Sequence, residues 1–206
     1  AWGVSRPAWW RRRRWGGPGL SRARRRGQRR AGILERRRRG VYVIADACDA
    51  ARAVAGHGGR LACITAARHL GLWVLTTDPR THVWLCDGQR TYHPKGCGCV
   101  EHWDDGPLGP PGSAPSVPRV LLQIARCHGV EEFFVVLESA LRLGLLDHSG
   151  RRWLRRHSTA AMREALDLAR NDADSGLESL LRWRLRHLGL RAVSSTHLTL
   201  PTFYPV

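Results

Sequence analysis

Apolar residues recur at helical spacing over Leu177, Leu180, Leu181, Leu185 and Leu188, one stripe along a single predicted helix. Ser175 followed by Glu178 is a capping box that starts it, and Gly189 stops it. Asp172 and Asp174 precede it while Arg184, Arg186 and His187 crowd its end, and both signs suit the helix dipole. A lone amphipathic stripe needs a surface to pack on. The following residues, Val193–Val206, hold two prolines and no further alternating run. The helix is therefore expected to open a domain that this chain does not contain.

Further upstream, Gly32–Ile44 reads as a β-hairpin. Ile33 and Leu34 end one strand, Gly40 makes the turn, and Val41–Ile44 is β-branched and aromatic. Asp46–Gly56 is an alanine-rich helix broken by His57-Gly58-Gly59, and Arg60–Leu70 is a second, stopped by Gly71. Trp73–Leu75, His82–Leu85 and Val100–Trp103 read as strands, and Asp104–Pro118 as a Gly/Pro-rich loop. A helix from about Pro118 carries Val120, Leu121, Ile124 and Ala125 on one face. The next, Glu131–Arg142, buries Phe133, Phe134, Leu137, Ala140 and Leu141, and Gly144 closes it. Ser149–His157 and Ala160–Arg170 complete a helical connector.

Charge changes this picture more than composition does. A hydrophobic content of 43% is ordinary for a folded chain, whereas a net charge of +17 over 206 residues predicts attraction to polyanions, nucleic acid first. The excess is uneven, because Glu35 is the only acidic residue from Ala1 to Ala45. The leader to Arg30 shows neither helical nor strand period, and three readings compete for it. It is a disordered arm whose tryptophans stack on bases, a solvated tail, or a wrong-frame translation of GC-rich coding DNA. In the hairpin, Arg36, Arg37, Arg38, Arg39 and Tyr42 are candidate DNA contacts, the arginines supplying affinity without reading sequence. A solvated charge run beside a strand is the competing reading. No run is long and apolar enough to span a bilayer, and no secretion signal is recognisable, so a cytoplasmic location with reduced thiols is expected.

His93, Cys97, Cys99 and His102 have metal-like composition. Their spacing argues against zinc, since one residue separates Cys97 from Cys99 where structural sites use two to four. Two cysteines on one face of a strand serve equally well as small hydrophobes, so no metal ligand is assigned.

The terminal helix, Gly40–Val43, Thr65–Leu72 and Val136–Leu146, in that order along the chain, give it a resemblance over roughly residues 32–192 to a known family. It resembles actinobacterial proteins that join an AbiEi-antitoxin-like winged-helix region to a C-terminal very-short-patch-repair-like endonuclease domain of the PD-(D/E)xK group. The resemblance implies an α+β fold in five parts. These are a basic leader over 1–31, a partial winged-helix wing over 32–58, and a mixed α/β middle region over 59–170. The first helix of a restriction-endonuclease-like domain follows over 171–192, with a non-native or disordered tail over 193–206. It also implies that Glu178 matches a catalytic helical Glu, and that an intact nuclease domain takes Mg²⁺ through hard oxygen ligands. No acidic residue follows Arg191, so the remaining carboxylate ligands are absent and no cofactor is expected in this chain. The expectation is a DNA-binding, toxin–antitoxin-related protein that is itself inactive as a nuclease. The alternative is a non-enzymatic regulator or antitoxin acting through DNA or a partner protein such as a toxin.

Overall fold

The computed structural model describes residues 9–11, 21–39, 41–86, 92–93, 96–106 and 114–186, with 9–11, 22 and 38 as backbone alone. Within these, the chain is a mixed α+β structure of seven helices and two three-stranded sheets.

The first sheet has the order β1 (Trp9–Arg11), β3 (Val41–Ile44), β2 (Leu34–Arg38), antiparallel throughout. The hairpin expected at Gly32–Ile44 is thus present as β2 and β3, while its turn residue Gly40 lies outside the described residues. Leader residues behave differently from the expectation of disorder. Trp9–Arg11 adds a strand, and Arg22–Arg30 forms helix α1. Ser21 caps α1 by accepting from the Arg24 N–H at 3.2 Å, and Arg29 and Arg30 fall in the last turn, where the dipole favours cations. Arginine is also a good helix former, so a basic run lacking an apolar stripe still becomes helical once a cap and a neighbouring strand hold it. Val41 and Val43 point from β3 onto helix α2 (Asp49–His57), where Ala47, Ala51 and Ala55 complete a small core.

α2 ends on Gly58, left-handed at φ 86°, and Gly59 follows it. A Cβ at Gly59 would lie 2.2 Å from Val83 Cγ1 and 2.7 Å from the Trp84 carbonyl oxygen, so only glycine lets the chain pass this close to the second sheet. That sheet runs β4 (Arg60–Leu61), β5 (His82–Leu85), β6 (Val100–Trp103). β4 is antiparallel to β5, and β6 is parallel to it. The helix expected over Arg60–Leu70 therefore starts later, as α3 (Cys63–His69), because Arg60 and Leu61 pair with Trp84 and Val83. The strand expected at Trp73–Leu75 does not form. The N–H groups of Trp73, Leu75 and Thr76 donate instead to Ser139 Oγ and to the two carboxylate oxygens of Glu132. An extended segment satisfied by side chains has no need of a strand partner.

The large core lies between this sheet and the C-terminal helices. α4 (Val117–Arg142) is broken at Gly129, whose φ of 86° and ψ of 179° separate two helical halves as the sequence predicts. Val120, Leu121 and Ile124 are buried in the first half, and Phe133, Phe134, Leu137 and Ala140 in the second. α5 (His148–Arg156) and α6 (Ala160–Leu168) pack along it, followed by α7 (Gly176–Leu185). The Ser175 cap of α7 is present, accepting from the Glu178 N–H at 3.2 Å. Its buried face is not the leucine stripe. Leu177 and Leu181 are 71% and 55% exposed, while Ser179, Arg182 and Trp183 turn inward against α4. Trp183 packs on Phe134, with ring centroids 5.1 Å apart, and Arg182 is drawn under by the buried carboxylate of Glu138 at 2.6 Å. A charge partner on α4 thus outweighs apolar periodicity in choosing the face. No helix among the described residues is long and apolar enough to cross a membrane.

Candidate functional site

Two regions carry chemistry. The first is the basic unit made of α1 and the β2–β3 hairpin. Arg36 pairs with Tyr42 across the strands, so both side chains share one face, opposite to the one on which Val41 and Val43 meet α2. Arg36 is exposed and Tyr42 half-buried. The register slips between Arg36 and Arg38, which makes Arg37 the extra residue of a β-bulge. Arg37 is exposed, and its guanidinium donates to Glu35 Oε1 at 2.6 Å. Arg52 of α2 reaches the other Glu35 oxygen at 3.7 Å. Arg39 is exposed, and of Arg38 the backbone alone is described. α1 adds exposed Arg24, Arg26, Arg29 and Arg30, with Arg25 turned inward. Sequence reasoning named these only as part of a leader arm and not as one face of a helix, because a run of arginines shows no period.

The other predicted site residue, Glu178, stands apart from both regions. Its Oε2 accepts from the Asp174 N–H at 3.0 Å, and its Oε1 lies 3.6 Å from Arg182 Nη2. The same Arg182 also meets Glu138 and, at 3.1 Å, Asp172. Glu178 therefore closes the helix start and neutralises a buried guanidinium.

The second region comprises two thiol–imidazole clusters on the second sheet. His57, His93, Cys97 and Cys99 form one, and Cys63, His82, His102 and Cys127 the other, with the donor atoms of each within 4.8 Å of one another. Glu101 and His102 are neighbours on β6, and successive strand residues face opposite sides. Glu101 meets the first cluster and His102 belongs to the second, which puts the two clusters on opposite faces of the sheet. The sequence grouping of His93, Cys97, Cys99 and His102 is thus divided. His57, forty residues from Cys97 along the chain, takes the place that grouping gave to His102.

In the first cluster, His57 sits in the last turn of α2. Its Nδ1–H donates to the Ala53 carbonyl at 2.8 Å, one turn back, and this leaves the Nε2 lone pair 2.8 Å from Cys97 Sγ. His93 is arranged in the same sense. Its Nε2 lies 2.7 Å from Glu101 Oε1, and its Nδ1 lies 3.5 Å from Cys99 Sγ. The hydrogen bond of Cys97 raises the His93 pKa, and Glu101 adds to the effect. The contacts of Cys97 with His57 and then His93 hold its thiol down to about 6, while burial and then Cys97 itself push Cys99 up to about 12. Cys97 is thus the more readily ionised of the two sulfurs. An open cavity of about 210 Å³ adjoins them, walled also by Pro79, Arg80 and Thr81.

The second cluster is drier and more self-contained. His82 Nδ1 and His102 Nε2 are 2.9 Å apart, so one ring donates to the other. Burial, then neighbouring imidazole charge, lowers both to about 4 and keeps both neutral. Cys63 is buried at φ 48°, unusual for a non-glycine residue, and its N–H is held by Gln123 Oε1 at 3.0 Å. Burial raises its thiol pKa strongly. Comparison of the chain with protein-family models, with curated proteins and with solved structures finds no match.

Proposed function

We propose that this protein binds duplex DNA through the arginine-rich unit formed by α1 and the β2–β3 hairpin. The observation that carries the reading is that α1 packs against β2, which puts exposed Arg24, Arg26, Arg29 and Arg30 on the same small unit as exposed Arg36, Arg37 and Arg39, with Glu35 the one acidic residue of those two elements. A charged helix running directly into a β-hairpin is also the order of recognition helix and wing in a winged helix, which fits the AbiEi-type resemblance. Guanidinium groups on a folded unit release counterions from phosphates and hold the duplex in one register. Binding without cleavage is favoured over the endonuclease-related activity, because Glu178 is engaged by a backbone N–H and by Arg182. A toxin or other protein partner is compatible with this role.

The test is a salt titration of binding to a random-sequence duplex, followed by fluorescence anisotropy. Two triple variants, Arg36→Ala/Arg37→Ala/Arg39→Ala and Arg26→Ala/Arg29→Ala/Arg30→Ala, are compared with the unchanged chain. Each phosphate contact removed should flatten the slope of log K against log salt by about 0.9. Unchanged affinity and slope in both variants would make the basic unit a bystander and end the reading.

A further inference from the structure

We propose that His57, His93, Cys97 and Cys99 bind one zinc ion in a closed four-ligand site. The donor set comes first. Two sulfurs and two imidazole nitrogens in a tetrahedral arrangement suit a borderline-soft divalent ion, zinc above all. The geometry is near closure, since all four donor atoms already lie within 4.8 Å of one another. A tetrahedral zinc with bonds of about 2.0–2.3 Å holds its ligands roughly 3.3–3.8 Å apart, so small side-chain rotations suffice.

The outward nitrogens carry the argument furthest. Metal-binding histidines give their second nitrogen's proton to a carbonyl or carboxylate, which fixes the tautomer and aims the other lone pair at the metal. Both imidazoles here have such a partner. His57 Nδ1 is tied to the Ala53 carbonyl at 2.8 Å, and His93 Nε2 faces Glu101 at 2.7 Å, while the opposite nitrogens point at the sulfur pair. In the second cluster one imidazole instead spends its lone pair on the N–H of the other. Binding displaces the thiol protons still present, so two thiolates balance the ion's charge and the two imidazoles stay neutral.

The fold also supplies a reason for a metal. β5 and β6 are parallel, so the chain must cross over between them, and Tyr92, His93, Gly96 and Gly98 on that connection are exposed. These exposed residues bury little apolar surface and gain order from a cross-link, and zinc would clamp them to the last turn of α2. The one-residue gap between Cys97 and Cys99 argues against zinc only while the ligands are sought within the segment. With His57 arriving from a distant helix, the cysteines no longer need to form a self-sufficient knuckle.

The test uses the whole chain, purified reduced and without chelator, with zinc measured by elemental analysis. Near-stoichiometric zinc is expected in the unchanged chain and in Cys127→Ser, with most of it lost in Cys97→Ser and in His93→Gln. Cobalt(II) added to the unchanged, chelator-stripped chain should give thiolate-to-metal charge transfer and the intense visible bands of a four-coordinate site, bleached by zinc. That readout does not depend on any variant folding. No zinc and no cobalt bands in the unchanged chain, or full zinc retention in Cys97→Ser, would overturn the proposal. Zinc lost in Cys127→Ser and kept in Cys97→Ser would overturn it too, by assigning the metal to the other cluster.

Discussion

Replacing Arg182 by methionine tests how α7 is held. The Glu138 side chain is fully buried and that of Arg182 is 4% exposed, with Nη1 to Oε1 at 2.6 Å. The same Glu138 oxygen accepts from the Arg170 N–H at 2.8 Å. Arg182→Met keeps most of the packing volume and removes the cation, which leaves a buried carboxylate with one N–H for company. Breaking a buried pair from one side costs about 3–5 kcal/mol, because the surviving charge is uncompensated. In a domain of this size that corresponds to a fall in Tm of roughly 6–20 °C. Glu138→Gln keeps an acceptor for both donors, and Arg182 still has Asp172 at 3.1 Å and Glu178 at 3.6 Å, so a smaller loss of about 1–3 kcal/mol is expected. The double change Arg182→Met/Glu138→Leu removes both charges and should cost less than Arg182→Met alone, its main penalty being the unmet Arg170 N–H. Urea unfolding followed by tryptophan fluorescence gives all three values. An Arg182→Met chain within about 1 kcal/mol of the unchanged one, or a double variant no more stable than Arg182→Met alone, would refute the reasoning.

Two further outcomes follow from the second sheet. Gly59→Ala should destabilise by about 1–3 kcal/mol, read as a lower urea midpoint, because its Cβ meets Val83 at 2.2 Å and a backbone oxygen at 2.7 Å; an unshifted midpoint would mean that α2 approaches β5 less closely than described. Stability should also depend on pH through His82 and His102, whose folded pKa values are lowered to about 4 from an unfolded value near 6.5. Between those values the unfolded chain binds more protons, so the stabilisation is fully present above about pH 6.5 and is lost as pH falls toward 4. Urea midpoints across that range would check it, and a flat profile would show that these imidazoles are not held neutral.

Much of the local structure was legible along the chain. The Ser175 cap, the division of α4 into two helical halves, the β2–β3 hairpin and the spans of β5 and β6 all depend on residues within a few positions of one another. Caps, turns and β-branched runs act at that range, so sequence determines them directly. The arginines of the hairpin were visible for the same reason. Helix α1 was not, because it lacks an apolar period and its contact with β2 is a tertiary one.

What tertiary structure alone decided is which groups meet. The leucine stripe of α7 determines that a helix forms, whereas the burial of Arg182 and Trp183 was set by Glu138 and Phe134 on another helix. Trp73–Thr76 carries strand-like composition, yet its N–H groups went to Ser139 and Glu132, more than fifty residues away. The candidate metal centre has the same origin. Cys97 and Cys99 were visible as a pair with poor spacing, and nothing local links them to His57. Only the glycine-permitted approach of α2 to β5 brings that imidazole to the sulfurs. Spacing rules describe ligands that a short segment holds by itself; here the fold supplies the proximity, and proximity is what a metal site requires.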